Sequence, residues 1–223
     1  MEKEQTYCTR TFLNLPPEKR EHILATAKNE FAARGYRAAN INVISEKAGV
    51  SVGGMYRYFR TKEDLFLTVV EKGVDALCEA LENAVTGEGG LYANIENILY
   101  SAYEYSVKDP EMIRMYIDCT SEDLASMAAR LSRRMESLSA GTYARWVSDG
   151  KKGKEVNPGV DEKIAAFFLD NLFLIFQFSF ASEYYHERLK IFTGRDETRV
   201  KELVDGLISL IRYGLEGKPS AGS

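Results

Sequence analysis

Paired cysteine is missing from this sequence. Its three cysteines, Cys8, Cys78 and Cys119, lie far apart and form no CxxC. That argues against a disulfide scaffold or a structural zinc site and favours a reducing, cytoplasmic compartment. The two histidines, His22 and His186, have no metal-ligand spacing to one another, so neither a metal nor a cofactor is expected. No Gly-rich phosphate loop, no HExxH and no Gly-x-Ser-x-Gly occurs. A nucleophile, base and metal set cannot be assembled, which speaks against an enzyme. Proline is scarce, five in 223 residues, so long helices are permitted nearly everywhere. No stretch alternates with period two, so strands are not expected. The polar segment Met1 to Arg10 is followed by no apolar run, which predicts no secretory signal.

What is present is an ordinary globular balance, 45% hydrophobic and 28% charged. The net charge of −4 is unevenly spread. Up to Lys72 there are twelve basic against nine acidic residues; after it there are seventeen against twenty-four. A mildly basic front on an acidic body suggests that the front meets an anion.

Apolar residues recur with helical spacing throughout. Residues 1–15 lack a period and read as a flexible arm. Pro17 opens a helix in which Ile23, Ala27 and Phe31 share a face and which ends at Gly35. Asn40 and Ser51 cap two short helices, and Thr61 opens a longer one by a capping box. The Gly87-Glu88-Gly89-Gly90 linker follows. Further helices start at Leu91, Asp109, Ser121, Asp161 and Asp196. The pattern predicts an all-α fold of about nine helices. Its parts are an arm (1–15), a small head (16–62), a connecting helix (63–86), a helical body (91–216) and a tail (217–223).

The two short helices meet at Ala48-Gly49-Val50-Ser51, a helix-turn-helix candidate. Gly49 supplies a left-handed turn. Ser51 caps the second helix and leaves its positive end open to phosphate. A helix this short and exposed fits a major groove about 12 Å wide.

These residues resemble the TetR family of bacterial transcriptional repressors. The likeness runs over about residues 17–66 and rests on Arg20, Ile23, Leu24, Ala27, Phe31, Gly35, Tyr36 and Ile44. It continues through Ala48-Gly49-Val50-Ser51-Val52-Gly53, Met55-Tyr56-Arg57-Tyr58-Phe59, Lys62-Glu63 and Leu65-Phe66. Departures are small: the family often has Thr at Asn40 and Ala at Ser45. The resemblance implies that Tyr56, Tyr58 and Lys62 grip the DNA backbone, with Asn40 and Ser51 beside them. Val52, Gly53, Gly54 and Arg57 are the candidates for meeting bases: Val52 by a thymine methyl, Arg57 by a guanine or phosphate. Adjacent Gly53 and Gly54 cost about 1 kcal/mol each relative to Ala. Two readings of that cost stand together, close approach to DNA and relief of packing against the first long helix.

The body holds an apolar run, Ala165 to Ala181, at the short limit for a membrane span. Asp170 near its middle would cost about 2.5–3.5 kcal/mol in a bilayer. A helix apolar on all sides is instead buried by its own domain and by a second subunit, as the family resemblance also implies. No membrane is expected, and Phe178, Leu203, Leu207 and Ile211 are assigned to a homodimer interface. Aromatics are abundant, and Tyr100, Tyr103, Tyr116, Tyr143, Trp146, Asn171, Phe173 and Gln177 are candidates for lining an effector cavity. The expectation is a homodimeric repressor that binds a double-stranded operator and is released by a small lipophilic effector. A regulator answering to a protein partner and an all-α enzyme are the alternatives.

Overall fold

The structure, a computed structural model, describes residues 7–85, 89–120, 124–195 and 199–217. Among them are eleven helices and no strand: α1 Arg10–Leu13, α2 Pro17–Ala38, α3 Ile41–Lys47, α4 Val52–Tyr58, α5 Lys62–Ala84, α6 Gly90–Lys108, α7 Pro110–Cys119, α8 Ala125–Lys152, α9 Glu162–Phe178, α10 Glu183–Thr193 and α11 Val200–Glu216. The all-α expectation holds, and the count exceeds about nine for two reasons. A short helix, α1, forms within the arm. The long apolar helix expected after Asp161 is broken, the chain turning by 105° between α9 and α10. At the break the Ser179 hydroxyl donates to the Ile175 carbonyl at 2.8 Å, the back-bonding by which serine competes with helix propagation. No single helix is long and apolar enough to cross a membrane among the described residues.

Four of the caps read from the sequence, Asn40, Ser51, Thr61 and Asp161, are made. Asn40 Oδ1 accepts from Asn42 N at 2.9 Å, Ser51 Oγ from Gly54 N at 3.1 Å and Thr61 Oγ1 from Asp64 N at 3.0 Å. Asp161 accepts from Lys163 N and Ile164 N, each at 2.9 Å. Each relieves an N–H that a helix start leaves unpaired. The expected caps Ser121 and Asp196, linker residues Gly87 and Glu88, arm residues 1–6 and tail residues 218–223 lie outside the described residues.

The chain divides into two units. The first comprises residues up to 75 together with 111–132, the second 76–110 together with 133 onward. The second therefore differs from the continuous body 91–216 expected from the sequence, because α7 is drawn into the first unit. Met112 fills the space beside Gly73, and Asp118 Oδ2 accepts from Tyr36 N at 2.9 Å. The core of the first unit is the α2 stripe of Ile23, Ala27 and Phe31 against Ile44, Met55, Phe59, Leu65 and Phe66, all fully buried. In the second unit α6 packs against both α9 and α11. Ile95, Leu99, Leu169, Phe173, Val204 and Ile211 are shared there with Tyr143, Trp146 and Val147 of α8.

Candidate nucleic-acid interface

Helix α4 is held on one side and open on the other. Met55 and Phe59 face inward and are about 1% exposed. Val52, Gly53, Tyr56 and Arg57, one and four residues apart, all face solvent, so helical spacing places them on one outward face. Gly49 has φ 63°, the left-handed turn that glycine adopts without strain. The turn is closed by Gly49 N to Glu46 O at 3.1 Å and Val50 N to Ser45 O at 2.9 Å.

The two glycines separate. A Cβ on Gly53 would meet nothing within 4 Å, whereas one on Gly54 would stand 3.0 Å from Val50 Cγ1 and 3.1 Å from Ser51 Oγ. Gly53 thus keeps the outward face low, and Gly54 makes room for the turn and its cap. The packing relief is against that turn, not against α2. Ser45, where the resemblance favours alanine, is 1% exposed and its hydroxyl has no partner among the described residues.

Lys62 has a structural task beside the backbone contact expected of it. Its ammonium donates to Arg37 O at 3.0 Å and Ala39 O at 3.2 Å, and it lies over the Tyr36 ring, 4.7 Å from the centroid. Those carbonyls belong to the end of α2 beyond Gly35, whose φ of 71° interrupts the helix. Lys62 therefore holds the hook that leads into α3. Tyr56 is 49% exposed, while Tyr58 is half-buried with its ring 6.0 Å from that of Phe12.

The expected cavity residues are divided between the units. Tyr116 lies on α7, in the first unit. In the second, Tyr143, Trp146 and Phe173 form a buried aromatic cluster, with Tyr143 centred 5.4 Å from Trp146 and 5.2 Å from Phe173. The Trp146 indole N–H is buried with no hydrogen-bond partner among the described residues. Tyr100 and Tyr103 are half-buried against the same core. Asn171 donates back to Phe167 O of its own helix at 2.7 Å, and Gln177 is half-buried on α9. Asp170 is half-buried, and burial, with Glu136 adding repulsion, pushes its carboxyl up to about 6 against the opposing hydrogen bond from Ser139. No cluster able to hold a metal occurs among the described residues.

Two of the four residues assigned to a dimer interface are corrected. Phe178 and Ile211 are buried within the chain itself, Phe178 beside Tyr185 at 5.4 Å. Leu203 and Leu207 are only partly covered. On α9 the outward apolar residues are Ile164, Phe167, Phe168 and Ile175, and on α11 they are Leu210 and Tyr213.

Residues 23–69 match the family model described as bacterial regulatory proteins, tetR family. This helix-turn-helix head is a tetR-family domain. The HTH-type transcriptional activator FasR of Mycolicibacterium smegmatis is 37% identical over 68 residues, 30% of this chain. The match spans about a third of that protein, 31% of its length. The HTH-type transcriptional repressor AcnR of Corynebacterium glutamicum is 29% identical over 133 residues, 54% of this chain and 68% of that protein. The fold as a whole is similar to that of the transcriptional regulator FadR from Bacillus subtilis, solved in complex with stearoyl-CoA. There the TM-score is 0.71 at 15% identity, covering 87% of this chain and 98% of that one. These relatives are transcriptional regulators, not enzymes.

One part of the tetR-family head is hidden from sequence reading. The arm is not free from residue 7 onward: Tyr7 and Phe12 are buried, and Phe12 lies 4.6 Å from Phe59. The local signal is a handful of apolar residues, Tyr7, Cys8, Phe12, Leu13 and Leu15, too irregularly spaced to show a period.

Proposed function

We propose that this tetR-family protein is a homodimeric transcriptional regulator, acting as a repressor, that sets α4 of each subunit in a major groove and leaves its operator on binding a lipophilic effector. The outward face of α4 carries the reading. It combines a glycine that lets backbone approach, an apolar Val52, a hydrogen-bonding Tyr56 and an exposed Arg57, on a helix whose other side is locked in the core. Arg57 is placed to fork onto a guanine, and Tyr56 and the Asn40 cap to meet phosphates.

The dimer face is argued from α9 and α11. On α9, Ile164, Phe168, Asn171 and Ile175 form one stripe, and on α11, Leu203, Leu207, Leu210 and Gly214 form another. Each helix already buries its opposite side against α6, so the outward stripes are the second apolar face of each.

The effector site is placed in the second unit, at the Tyr143, Trp146 and Phe173 cluster. The Trp146 indole N–H, unpaired among the described residues, and a readily protonated Asp170 are the polar groups that would orient an otherwise apolar ligand. The stearoyl-CoA bound to the FadR relative supports a long acyl chain as the first probe. An effector of this kind acts by favouring a state of the dimer whose heads no longer match two half-sites.

The test is selection of duplexes from a random-sequence library by the purified protein. Enrichment of a two-fold symmetric site, with half-sites about one helical turn apart, is expected. Arg57→Ala should weaken that duplex by about 1–3 kcal/mol per contacted base pair while weakening random DNA less. Failure to enrich any sequence refutes the proposal.

A further inference from the structure

Helix α4 has seven residues, two of them glycine. A helix this short gains little from propagation against its nucleation cost, so its ends decide whether it holds its shape. Ser51 secures the N-terminal end. At the C-terminal end the carbonyls of Met55, Tyr56, Arg57 and Tyr58 have no further turn to pair with. Met55 O is reached by Phe59 N at 2.9 Å. Two of the others are met from a distant part of the chain. Thr9 Oγ1 donates to Arg57 O at 2.8 Å, and Thr9 N donates to Tyr58 O at 2.9 Å.

Thr9 is itself fixed. Its Oγ1 also accepts from Phe12 N at 3.4 Å, capping α1, so one hydroxyl links α1 to the end of α4. Phe12, 3% exposed, closes over Phe59, the residue that ends α4. At the far end of α1 the Arg20 guanidinium donates to Leu13 O at 3.3 Å, tying the segment to the first turns of α2. Residues 7–13 therefore form a clasp running from the end of α4 to the start of α2, entirely within the first unit.

We infer that this clasp is a positioning device for DNA reading, in which Thr9 caps the recognition helix from outside and so fixes the direction of Arg57. The inference rests on the DNA-binding reading above. Thr9 need touch no base; it acts on the carbonyl of the very residue assigned to read one. Its loss would let the last turn of α4 fray and Arg57 swing, costing sequence preference before it costs general attraction to DNA.

Three proteins test this: wild type, Thr9→Val, which keeps the shape and the N–H but loses the hydroxyl, and Thr9→Ser, which keeps the hydroxyl. Each is measured on the duplex that wild type enriches from a random library and on a scrambled duplex. Amide hydrogen exchange of Met55 and Phe59 is followed without DNA. Thr9→Val is expected to lower the preference for the enriched duplex about three- to tenfold and to speed exchange at Phe59, with Thr9→Ser at wild-type level in both. Unchanged preference in Thr9→Val overturns the inference. Equal weakening on both duplexes overturns it too, leaving Thr9 a structural cap alone. If wild type enriches no duplex, the DNA-binding reading falls and the positioning role with it; exchange at Phe59 still shows whether the clasp holds α4, so the two failures are told apart.

Discussion

Lys62 illustrates how a side chain's task is set by what surrounds it. A lysine at a helix start gains nothing from the local dipole, so a phosphate partner is the natural expectation. Two carbonyls past the Gly35 break and the Tyr36 ring hold it as well. Asp170 is the residue whose surroundings make the firmest prediction. Burial and the nearby Glu136 raise its carboxyl from the ordinary 3.8 to about 6. The folded state then holds a proton that the unfolded chain has already released. Stability from this group is therefore full below about 4, declines as pH rises through 6, and stays low above it. Asp170→Asn carries no charge to bury. Its melting temperature should exceed wild type by roughly 2–4 °C at pH 7.5, the gap closing as pH falls toward 4. Melting curves of both proteins across that range check it, and a gap independent of pH would show that Asp170 is not shifted.

Among the elements, α4 carries the sharpest opposition between stability and function. Glycine at Gly53 costs the helix about 1 kcal/mol relative to alanine, yet a Cβ there meets nothing within 4 Å. The fold gives no reason for that cost, and close approach of DNA does. Gly53→Ala should therefore raise the stability of the head by about 1 kcal/mol while weakening binding to the enriched duplex about tenfold, or about 1.4 kcal/mol. Denaturant unfolding and a binding titration on the same preparation would show the opposite signs; a gain in both would remove Gly53 from the interface. At Gly54 the fold itself gives a reason for glycine, since Val50 and Ser51 already stand at contact.

For the molecule as a whole the decisive matter is which apolar surface is left over after the chain has folded. Phe168 and Leu210 are 61% and 63% exposed, and both lie on the outward stripes that the proposed dimer would cover. In a two-fold dimer a single substitution puts a charge into both halves of the same apolar interface. Phe168→Glu or Leu210→Glu should then give a helical but monomeric protein that has lost most of its affinity for a two-half-site duplex. Sedimentation gives the oligomeric state and circular dichroism the helicity; folded dimers of both variants would move the interface elsewhere.

Much of this protein is legible in its sequence alone. The caps Asn40, Ser51, Thr61 and Asp161, the left-handed Gly49, the α2 stripe and the outward face of α4 all follow from interactions within three or four residues, which a linear sequence displays directly. What it does not display is contact between distant segments: Thr9 with Arg57 at a separation of 48 residues, Lys62 with Arg37 at 25, and Tyr36 with Asp118 at 82. The same limit applies to α9 and α11. Their composition announces apolar surface on more than one side, but periodicity is blind to which side an unseen neighbour covers. Only the packing on α6 assigns Ile211 to the core and Leu210 to the outside. Local hydrogen bonding sets where helices begin and end; the competition among apolar faces for a common core decides what each helix shows to the world.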